Sequence, residues 1–436
     1  MNIIEALNYL YKFTAPRTRP IYNAILGISF GIGKILGPVI GEAFANTPAI
    51  GWRWSFYINL PLTGIMAPLF LFLLPKHNPM PSISTLQKLK LIDFLGFILN
   101  TLVWASFLVA ITMGGSNWVW SSVSSMAVWT LFGTSLLLYI IQQSFCFFTS
   151  PNHRIFPVHF LRSQALMLLF VATAATMAAF VIPIFYIPLP YRFAHEFSPM
   201  NSANYLIPFI SAYFLVILSA GVMLLKIGYY KAIYLLASTF MISGGTLMTH
   251  VTINTSSKMV CLYSILISIG VGMSFQTAYD VGMSKVSREA QIPAASDVGM
   301  IKELVADEQK FIAYINVAQA GCAGIAPGIA GCVYQNLGVF KLQKVFGDEL
   351  PVEVMRGALG GLKEGGSESL GSVGEEIMGR ALDVVVETMA SVYWLVVAAG
   401  VAIAICGMGM KWERILLEPE VERNRRRSVN YEAIVY

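Results

Sequence analysis

Charged residues are scarce in this sequence. Asp, Glu, Lys and Arg make up 12% of its 436 residues, whereas hydrophobic residues make up 56% and the mean hydropathy is +0.65. Ordinary soluble domains carry about 25% charged residues. A soluble fold of this length would therefore have too little polar surface to cover itself, and the composition indicates a membrane-embedded chain.

Reactive and metal-ligating patterns are also scarce. The five cysteines lie in apolar stretches without a CxxC pair, and the five histidines are scattered near predicted helix ends or in loops. The sequence contains no HExxH and no GxxxxGK[ST], the patterns of zinc hydrolases and phosphate-binding loops. We therefore expect no catalytic residue, no metal site, no cofactor and no enzymatic activity; a membrane-embedded enzyme is the least favoured alternative.

Ten apolar segments approach or exceed the roughly 20 residues that a helix needs to cross a bilayer. They cover about residues 21–45, 53–75, 92–114, 124–148, 165–188, 203–224, 230–250, 259–279, 311–338 and 388–410. The sequence thus predicts an all-α, polytopic bundle of about ten transmembrane helices at 21–410. A cytoplasmic segment at 1–20 precedes this bundle, and a basic cytoplasmic tail at 411–436 follows it.

Basic residues indicate how the bundle is oriented. If the N-terminus is cytoplasmic, 20 of the 29 Lys and Arg residues fall in inside segments and 8 in outside segments, with Lys34 inside a helix. Cytoplasmic loops carry such an excess. We therefore expect an integral, multi-pass membrane protein with both termini in the cytoplasm.

Two outer loops carry further expectations. Residues 340–387 form a long loop with a glycine-rich centre, which we expect to be solvated and partly disordered, with a short helix near 375–387. Asn254, in Asn254-Thr255-Ser256, is a candidate glycosylation site in a shorter loop.

On the opposite side of the membrane, Asp93 lies at the start of a predicted helix, where the helix dipole favours a negative charge.

Glycines recur at four-residue spacing in the first apolar segment. Gly33, Gly37 and Gly41 share one helical face, and Pro38 lies in the same run. Small residues in register let a second helix approach closely in a membrane, and an internal proline bends the helix or frees a carbonyl. The pattern predicts a tightly packed helix–helix contact at these glycines.

This element resembles a known signature. Gly33-x-x-x-Gly37-Pro38-x-x-Gly41, followed by WRWSFYINLP at 52–61, resembles the antiporter motif (motif C) and the next helix of the major facilitator superfamily. The resemblance is greatest to its fourteen-helix branch of drug/proton antiporters, among them fungal toxin- and drug-efflux pumps. Ala24 and Glu42 stand where that pattern has glycines. Weaker likenesses follow in the family's order at 270–276, 315–338 and 391–413, so the resemblance covers most of the chain.

The resemblance implies secondary active efflux of drugs or toxins by proton antiport. The implied partners are a small lipophilic substrate, the lipid bilayer and protons, with no nucleic acid. The motif-C residues Gly33, Gly37, Pro38 and Gly41 would form a hinge between two bundles that rock around a site near the midplane. The plasma membrane is the expected location, with the vacuole or another endomembrane as the alternative.

One departure from the family pattern supports a second hypothesis. Motif C belongs to the fifth helix of the fourteen-helix branch, so the resemblance implies that the first four helices are absent here. The arginine of the fourth helix, to which the family assigns proton coupling, would then be absent too. The alternative function is therefore a truncated or degenerate copy without transport activity, acting at most as a membrane interaction protein.

Lys34 is a candidate cavity or coupling residue, because an ionisable side chain inside a membrane helix is a functional hypothesis by default. In one interpretation its side chain faces the central cavity, where it pairs with Glu42 or attracts an anionic substrate. In the other it is an interfacial lysine whose side chain extends to the lipid head groups.

Three amides are the other cavity candidates: Asn59, Gln276 and Gln319. Uncharged amides inside membrane helices need partners, which a solvated pore or a neighbouring helix can supply. Together with the rings of Trp104, Tyr186 and Tyr213 they suggest a roomy, mostly apolar cavity suited to amphipathic organic molecules.

Overall fold

A computed structural model of the chain describes residues 10, 14, 18–45, 47, 51, 53–73, 84–151, 153–194, 199–289, 298–347, 351–360 and 375–415. Within this part the chain is helical and contains no β-strand. For some residues in these helices only the backbone is described. The predicted all-α class is confirmed.

The described part of the chain forms seventeen α-helices. In chain order they are α1 (Arg19–Ala45), α2 (Trp54–Tyr57), α3 (Asn59–Leu73), α4 (Thr85–Lys90), α5 (Phe94–Met113), α6 (Val123–Phe145), α7 (Gln164–Tyr186), α8 (Pro188–Ala194), α9 (Pro199–Ala203), α10 (Ile207–Ile227), α11 (Tyr230–Thr249), α12 (Ser257–Ser274), α13 (Thr277–Glu289), α14 (Val298–Phe346), α15 (Val352–Gly360), α16 (Glu375–Val392) and α17 (Trp394–Gly409).

Eight helical stretches in the described part are long and apolar enough to cross a membrane. They are Phe94–Met113, Val123–Phe145, Gln164–Tyr191, Asn201–Leu224, Tyr230–Thr249, Ser257–Val286, Asp307–Phe346 and Gly379–Gly409. These stretches correspond to the last eight segments predicted from the sequence. The first two predicted segments are helical as α1 and as α2 with α3. The chain is thus a polytopic helix bundle.

Several predicted boundaries were wrong. The span that starts at Ser257 runs to Val286 instead of ending at 279, and it therefore contains Asp280. The helix predicted at 311–338 is α14, which covers 298–346. Hydropathy marks only the apolar part of a helix. Residues 302–310 are rich in Lys, Glu, Ala and Gln, which are good helix formers, so this helix continues beyond its apolar part.

Contacts between distant segments define two ends of the bundle. At one, the backbone N–H of Ile415 donates to the carbonyl of Gly228 at 2.9 Å, close to the start of α11; we call this the tail end. At the other, Arg356 of α15 donates to the carbonyls of Gly115 and Ser116, between α5 and α6; we call this the loop end.

Small residues bring the later helices into backbone contact. A Cβ atom added to Gly270 on α12 would lie 2.5 Å from the carbonyl oxygen of Ala237 on α11. One added to Gly244 on α11 would lie 2.8 Å from the backbone nitrogen of Ile267. The hydrophobic effect does not hold helices together within lipid, so the van der Waals packing that such close approach allows takes its place. Fully buried aromatic rings fill the remaining interior, among them Phe180, Phe209, Tyr213, Phe275, Tyr279 and Tyr314.

The predicted outer loop is more ordered at both ends than expected. Its start continues α14 to Phe346, and α15 is held to the bundle by Arg356 and by a 3.1 Å hydrogen bond from Tyr334 Oη to the carbonyl of Leu359. The helix expected near 375–387 is present as α16 but runs to Val392. The glycine-rich centre, 361–374, lies outside the described residues.

Asp93 anchors the α5–α6 hairpin at the tail end. As predicted, it caps a helix: its Oδ1 accepts from the backbone N–H of Gly96 at 2.8 Å. The sequence did not show that its carboxylate is buried and also accepts from the Nε2 atoms of Gln142 and Gln143, each at 2.9 Å. Gln143 in turn accepts from the backbone N–H of Phe156 at 2.9 Å, which ties the hairpin to the segment leading into α7.

Candidate functional site

A buried amide–carboxylate pair joins α1 to α13. Asn23 Nδ2 donates a hydrogen bond to Asp280 Oδ1 at 2.6 Å, across 257 positions of the sequence. Asn23 is 0% exposed and Asp280 is 6% exposed. Asp280 lies inside the span Ser257–Val286. An acid buried in a membrane span is costly and marks a candidate functional site, which here lies between the first helix and the later ones.

Small residues bring α1 close to α10 at this point. A Cβ atom on Gly27 would overlap Cδ1 of Ile217 and would lie 3.3 Å from Cγ of Gln276. Tyr213 Oη donates to the carbonyl of Gly27 at 3.1 Å, and Ala24 is buried beside it. The first helix is therefore packed against the later bundle near its own N-terminal end.

A small cavity of about 10 Å³ lies beside the pair, enough for about one water molecule. Its lining includes Ala24, Ile217, Gly272, Gln276, Thr277 and Asp280. Gln276 is 5% exposed, and its Oε1 has no hydrogen-bond partner among the described residues. Thr277 Oγ1 donates to the carbonyl of Met273 at 2.7 Å. The polar side chains around this cavity thus present mainly acceptor oxygens.

The motif glycines lie further along α1, away from this contact. Within the described residues, no atom lies within 4 Å of a Cβ added to Gly33 or Gly37, and a Cβ on Gly41 would be 3.7 Å from Ser55 Oγ. Among the described residues, a close approach of α1 to another helix lies at Gly27. The hinge role of the motif stays a prediction.

The side chains of Lys34, Pro38 and Glu42 lie outside the described part, and only their helical backbone is described. The predicted cavity role of Lys34, and its pairing with Glu42, therefore stay predictions.

The three candidate amides occupy different environments. Asn59 is exposed and donates to the carbonyl of Phe56 at 3.1 Å on its own helical turn. Gln319 is buried on α14 and accepts from Tyr279 Oη of α13 at 3.1 Å, the interhelical bond that was the alternative to a pore-lining role. Only Gln276 lies beside the Asn23–Asp280 pair. Asn254 is exposed in the loop between α11 and α12.

The aromatic rings expected around one roomy cavity do not form one. Tyr213 is fully buried and bonded to Gly27, and Trp104 donates to Asn100 Oδ1 at 3.0 Å. Tyr186 lines a cavity of about 30 Å³ at the loop end, together with Tyr191, Met248, Thr252 and Tyr393. Pockets for organic ligands measure roughly 300–1,000 Å³. In this conformation the rings fill the helix interfaces.

A second polar cluster holds the tail end together. Lys285 on α13 donates to Glu413 Oε1, and Tyr230 Oη donates to the same oxygen at 2.9 Å. Lys231 Nζ donates to the carbonyls of Met408 and Met410, each at 3.0 Å. The segment after α17 is therefore fastened to α11 and α13.

Near the tail end, His159 lies in the segment between α6 and α7. Its Nδ1 is 3.4 Å from Arg154 Nη2. Burial lowers the pKa of His159 below its usual 6.5, against an opposing effect of Asp307. The imidazole is thus favoured in its neutral form.

A serine in α1 lies in a hydrolase-like pattern, Gly27-Ile28-Ser29-Phe30-Gly31, which matches GxSxG. That motif works only at a sharp turn from strand to helix. Ser29 is inside a continuous helix, and its Oγ donates to the carbonyl of Ile25 at 3.1 Å. The pattern therefore carries no nucleophile here.

Sequence reasoning missed Asn23 and Asp280. Asp280 follows the predicted end of its segment by one residue, so it was placed with the loop. A signal was present in the apolar residues that continue after it, Val281, Gly282 and Met283. Asn23 gave no comparable signal, because an amide near a predicted helix start needs no buried partner.

Comparison with known proteins agrees with this fold. Residues 4–296 match the family described as Major Facilitator Superfamily. The chain is 33% identical to the efflux pump patC of Aspergillus clavatus over 412 residues, which cover 94% of this chain and 71% of that protein. It is 32% identical to the MFS-type transporter patC of Penicillium expansum, covering 90% of this chain and 69% of that protein. It is 30% identical to the efflux pump alnA of Emericella nidulans, covering 95% and 72%.

The apolar helices, the family match and the named relatives together identify an integral, multi-pass membrane protein of the transporter class. The chain belongs to the major facilitator superfamily.

Proposed function

We propose that the chain exports lipophilic small molecules, as a drug or toxin pump, and that protons drive the export. The observation that carries this proposal is the buried Asn23–Asp280 pair between α1 and α13. An acid at the interface of two membrane helices can bind and release a proton as the helices move apart and together. The names of two relatives, both efflux pumps, support export as the direction.

The apolar interior supports lipophilic substrates. Most of the buried residues in the described core are aliphatic or aromatic, with a smaller group of buried polar residues among them. Such interiors suit amphipathic organic molecules better than sugars or inorganic ions. Because the cavities of about 10 and 30 Å³ hold no such molecule, transport requires a second conformation with an open cavity, as alternating access supplies.

We place the tail end in the cytoplasm, most simply at the plasma membrane. Lys231, Lys285 and Arg414 lie together at this end, where an excess of basic residues is typical of the cytoplasmic side. Asn254 would then be outside. In fungal cells, a glycosidase should reduce the apparent mass of the wild-type chain but not that of Asn254→Gln. A glycan on an engineered tail-end sequon would contradict this orientation.

The predicted hinge is tested on the motif itself. Gly37→Leu or Pro38→Leu should abolish efflux while leaving the protein in the membrane. Gly133→Leu on α6 is a matched control, because a Cβ there also meets no atom within 4 Å among the described residues. Unchanged efflux in the Gly37 variant would remove the hinge role.

A membrane protein without transport activity is the second candidate. It is favoured because no described atom lies within 4 Å of a Cβ added to Gly33 or Gly37, and such a glycine stripe does not by itself join two moving bundles. A transport assay on this chain distinguishes the two candidates.

For that assay, the purified chain is reconstituted into proteoliposomes with an acidic interior and offered a lipophilic fluorescent dye that has no titratable group. We expect dye accumulation that depends on the pH gradient and collapses with a protonophore. Liposomes with the Gly133→Leu chain should behave like the wild type. Accumulation no faster than in empty liposomes would favour the inactive candidate.

A further inference from the structure

Asp280 has a different potential partner for each of its protonation states. An ionised carboxylate only accepts hydrogen bonds, and Asn23 Nδ2 on α1 donates one to it at 2.6 Å. A protonated carboxyl also donates one bond and therefore needs an acceptor. One candidate acceptor lines the same small cavity as Asp280.

Gln276 is the candidate acceptor. It lies in the turn between α12 and α13, four residues before Asp280. Both line the cavity of about 10 Å³. Gln276 Oε1 is buried and has no partner among the described residues, a situation that needs an explanation because buried polar atoms are almost always paired.

We infer that this cavity is a proton-binding site in which protonation of Asp280 exchanges its partner from Asn23 on α1 to Gln276 in the turn before α13. A proton from water binds a carboxylate oxygen, the O–H bond forms, and the side-chain charge changes from −1 to 0. The new O–H donates to Gln276 Oε1, directly or through the one water that the cavity can hold. The inference rests on the proposed proton-driven function and names the residues that couple the proton to α1.

Loss of the charge weakens the attachment of α1. A hydrogen bond to an ionised acceptor is about twice as strong as one to a neutral acceptor. The neutral carboxyl therefore holds Asn23 less tightly, while Tyr213 and Gly27 still connect α1 to α10. Proton binding thus loosens a polar contact between α1 and the later helices.

The charged and titratable surroundings are consistent with a single-proton switch. Tyr234 on α11 is within electrostatic reach of Asp280, and Tyr213 faces the pair from α10. Lys285, further along α13, is bonded to Glu413. On α1 the uncharged Asn23 contacts the carboxylate. Among the described side chains, the titrating acid of this cavity is therefore Asp280.

The test measures proton binding at Asp280 without transport. The purified chain is treated at a series of pH values with a hydrophobic carbodiimide, which reacts with protonated buried carboxyls, and labelling of the peptide containing Asp280 is quantified by mass spectrometry. We expect labelling to increase as the pH falls. Asp280→Asn should remove the label, and Asp307→Asn, a surface acid on α14, should leave the midpoint unchanged.

Two variants should shift the labelling midpoint in opposite directions. Gln276→Met removes the acceptor of the neutral form, so the midpoint should fall by about one pH unit, a tenfold loss of proton affinity for one hydrogen bond. Asn23→Ala removes a donor to the charged form, so the midpoint should rise by a similar amount; Asn23→Ser replaces it if the alanine variant does not purify as a single species. A midpoint unchanged in both, a shift in the same direction, or no labelling of the wild type at any pH would overturn the inference.

Two further results separate this inference from the proposed function. Protection from labelling by sodium at constant pH would assign the cavity to a metal cation and overturn the proton site. Opposite midpoint shifts in a chain that accumulates no dye would leave the proton site intact and remove the efflux proposal. Proton-driven dye accumulation without the midpoint shifts would leave the efflux proposal intact and remove the proton site.

Discussion

The phenol of Tyr213 on α10 donates a hydrogen bond to the backbone carbonyl of Gly27 on α1, at 3.1 Å. Gly27 has no side chain to keep the two helices apart, and the tyrosine ring is fully buried. With the Asn23–Asp280 bond one turn earlier on α1, this contact fixes both the distance and the rotation of the first helix relative to the later bundle. Several consequences of this interface and of the tail end can be measured.

Gly27→Leu should separate α1 from α10. The new side chain would begin where Ile217 and Gln276 already lie, so the helices must move apart and the Asn23–Asp280 bond must lengthen. We expect a lower melting temperature of the purified protein and loss of dye accumulation. Gly133→Leu, at an open position, should change neither; a normal melting temperature in Gly27→Leu would show that α1 is not packed as described.

Asp93→Ala should destabilise the α5–α6 hairpin. The change leaves the backbone N–H of Gly96 and the amides of Gln142 and Gln143 without their buried acceptor, at about 1–3 kcal/mol for each donor that finds no new partner. We expect a clear fall in melting temperature. The control is Asp307→Ala, where a surface pair with Lys310 is worth at most about 1 kcal/mol. Equal effects of the two changes would contradict the buried cluster.

Charge exchange between Lys285 and Glu413 tests the closure of the tail end. Lys285→Glu places two carboxylates together and should lower the melting temperature, as should Glu413→Lys, which places two ammonium groups together. The double exchange restores the attraction, although Tyr230 loses its acceptor, so recovery should be partial. The pair is partly exposed, and a coupling energy of about 1 kcal/mol is expected. Strictly additive single effects would mean that the two side chains do not interact.

Stability should fall in mildly acidic solution through His159. Burial lowers the pKa of this imidazole below 6.5 in the folded protein, so between these two pKa values the unfolded chain binds the extra proton and the folded chain does not. The melting temperature should therefore decrease as the pH falls below about 6.5, until the folded-state pKa is passed. His159→Asn should reduce this dependence of the melting temperature on pH, whereas His250→Asn, at an exposed position, should not. An unchanged slope in His159→Asn would contradict the assignment.

The sequence predicted the class of fold because composition and span length depend on the bilayer alone. The eight later spans and the cap at Asp93 are examples: each follows from residues adjacent in the chain. The functional pair is different. Asn23 and Asp280 are 257 positions apart in the sequence and become a pair only when their two helices pack together. No local sequence pattern predicts that contact.

The glycines also show that a local pattern cannot identify the helix that a residue contacts. Spacing identified Gly33 and Gly37 as a possible contact face, but spacing cannot say which neighbour occupies it, and the described contact lies at Gly27. Likewise, the rings of Trp104 and Tyr213 were correctly placed inside helices. Whether a buried ring lines a cavity or fills a gap is decided by packing against residues distant in sequence.

The proposed function requires that α1 separate from the later bundle in each transport cycle. Ala24 on α1 and Gly221 on α10 line the same small cavity, so a cysteine at each position in a cysteine-free background should form a disulfide or accept a short cross-linker. We predict that dye accumulation stops when the cross-link is complete and returns when it is reduced. Undiminished accumulation by the fully cross-linked protein would contradict the account.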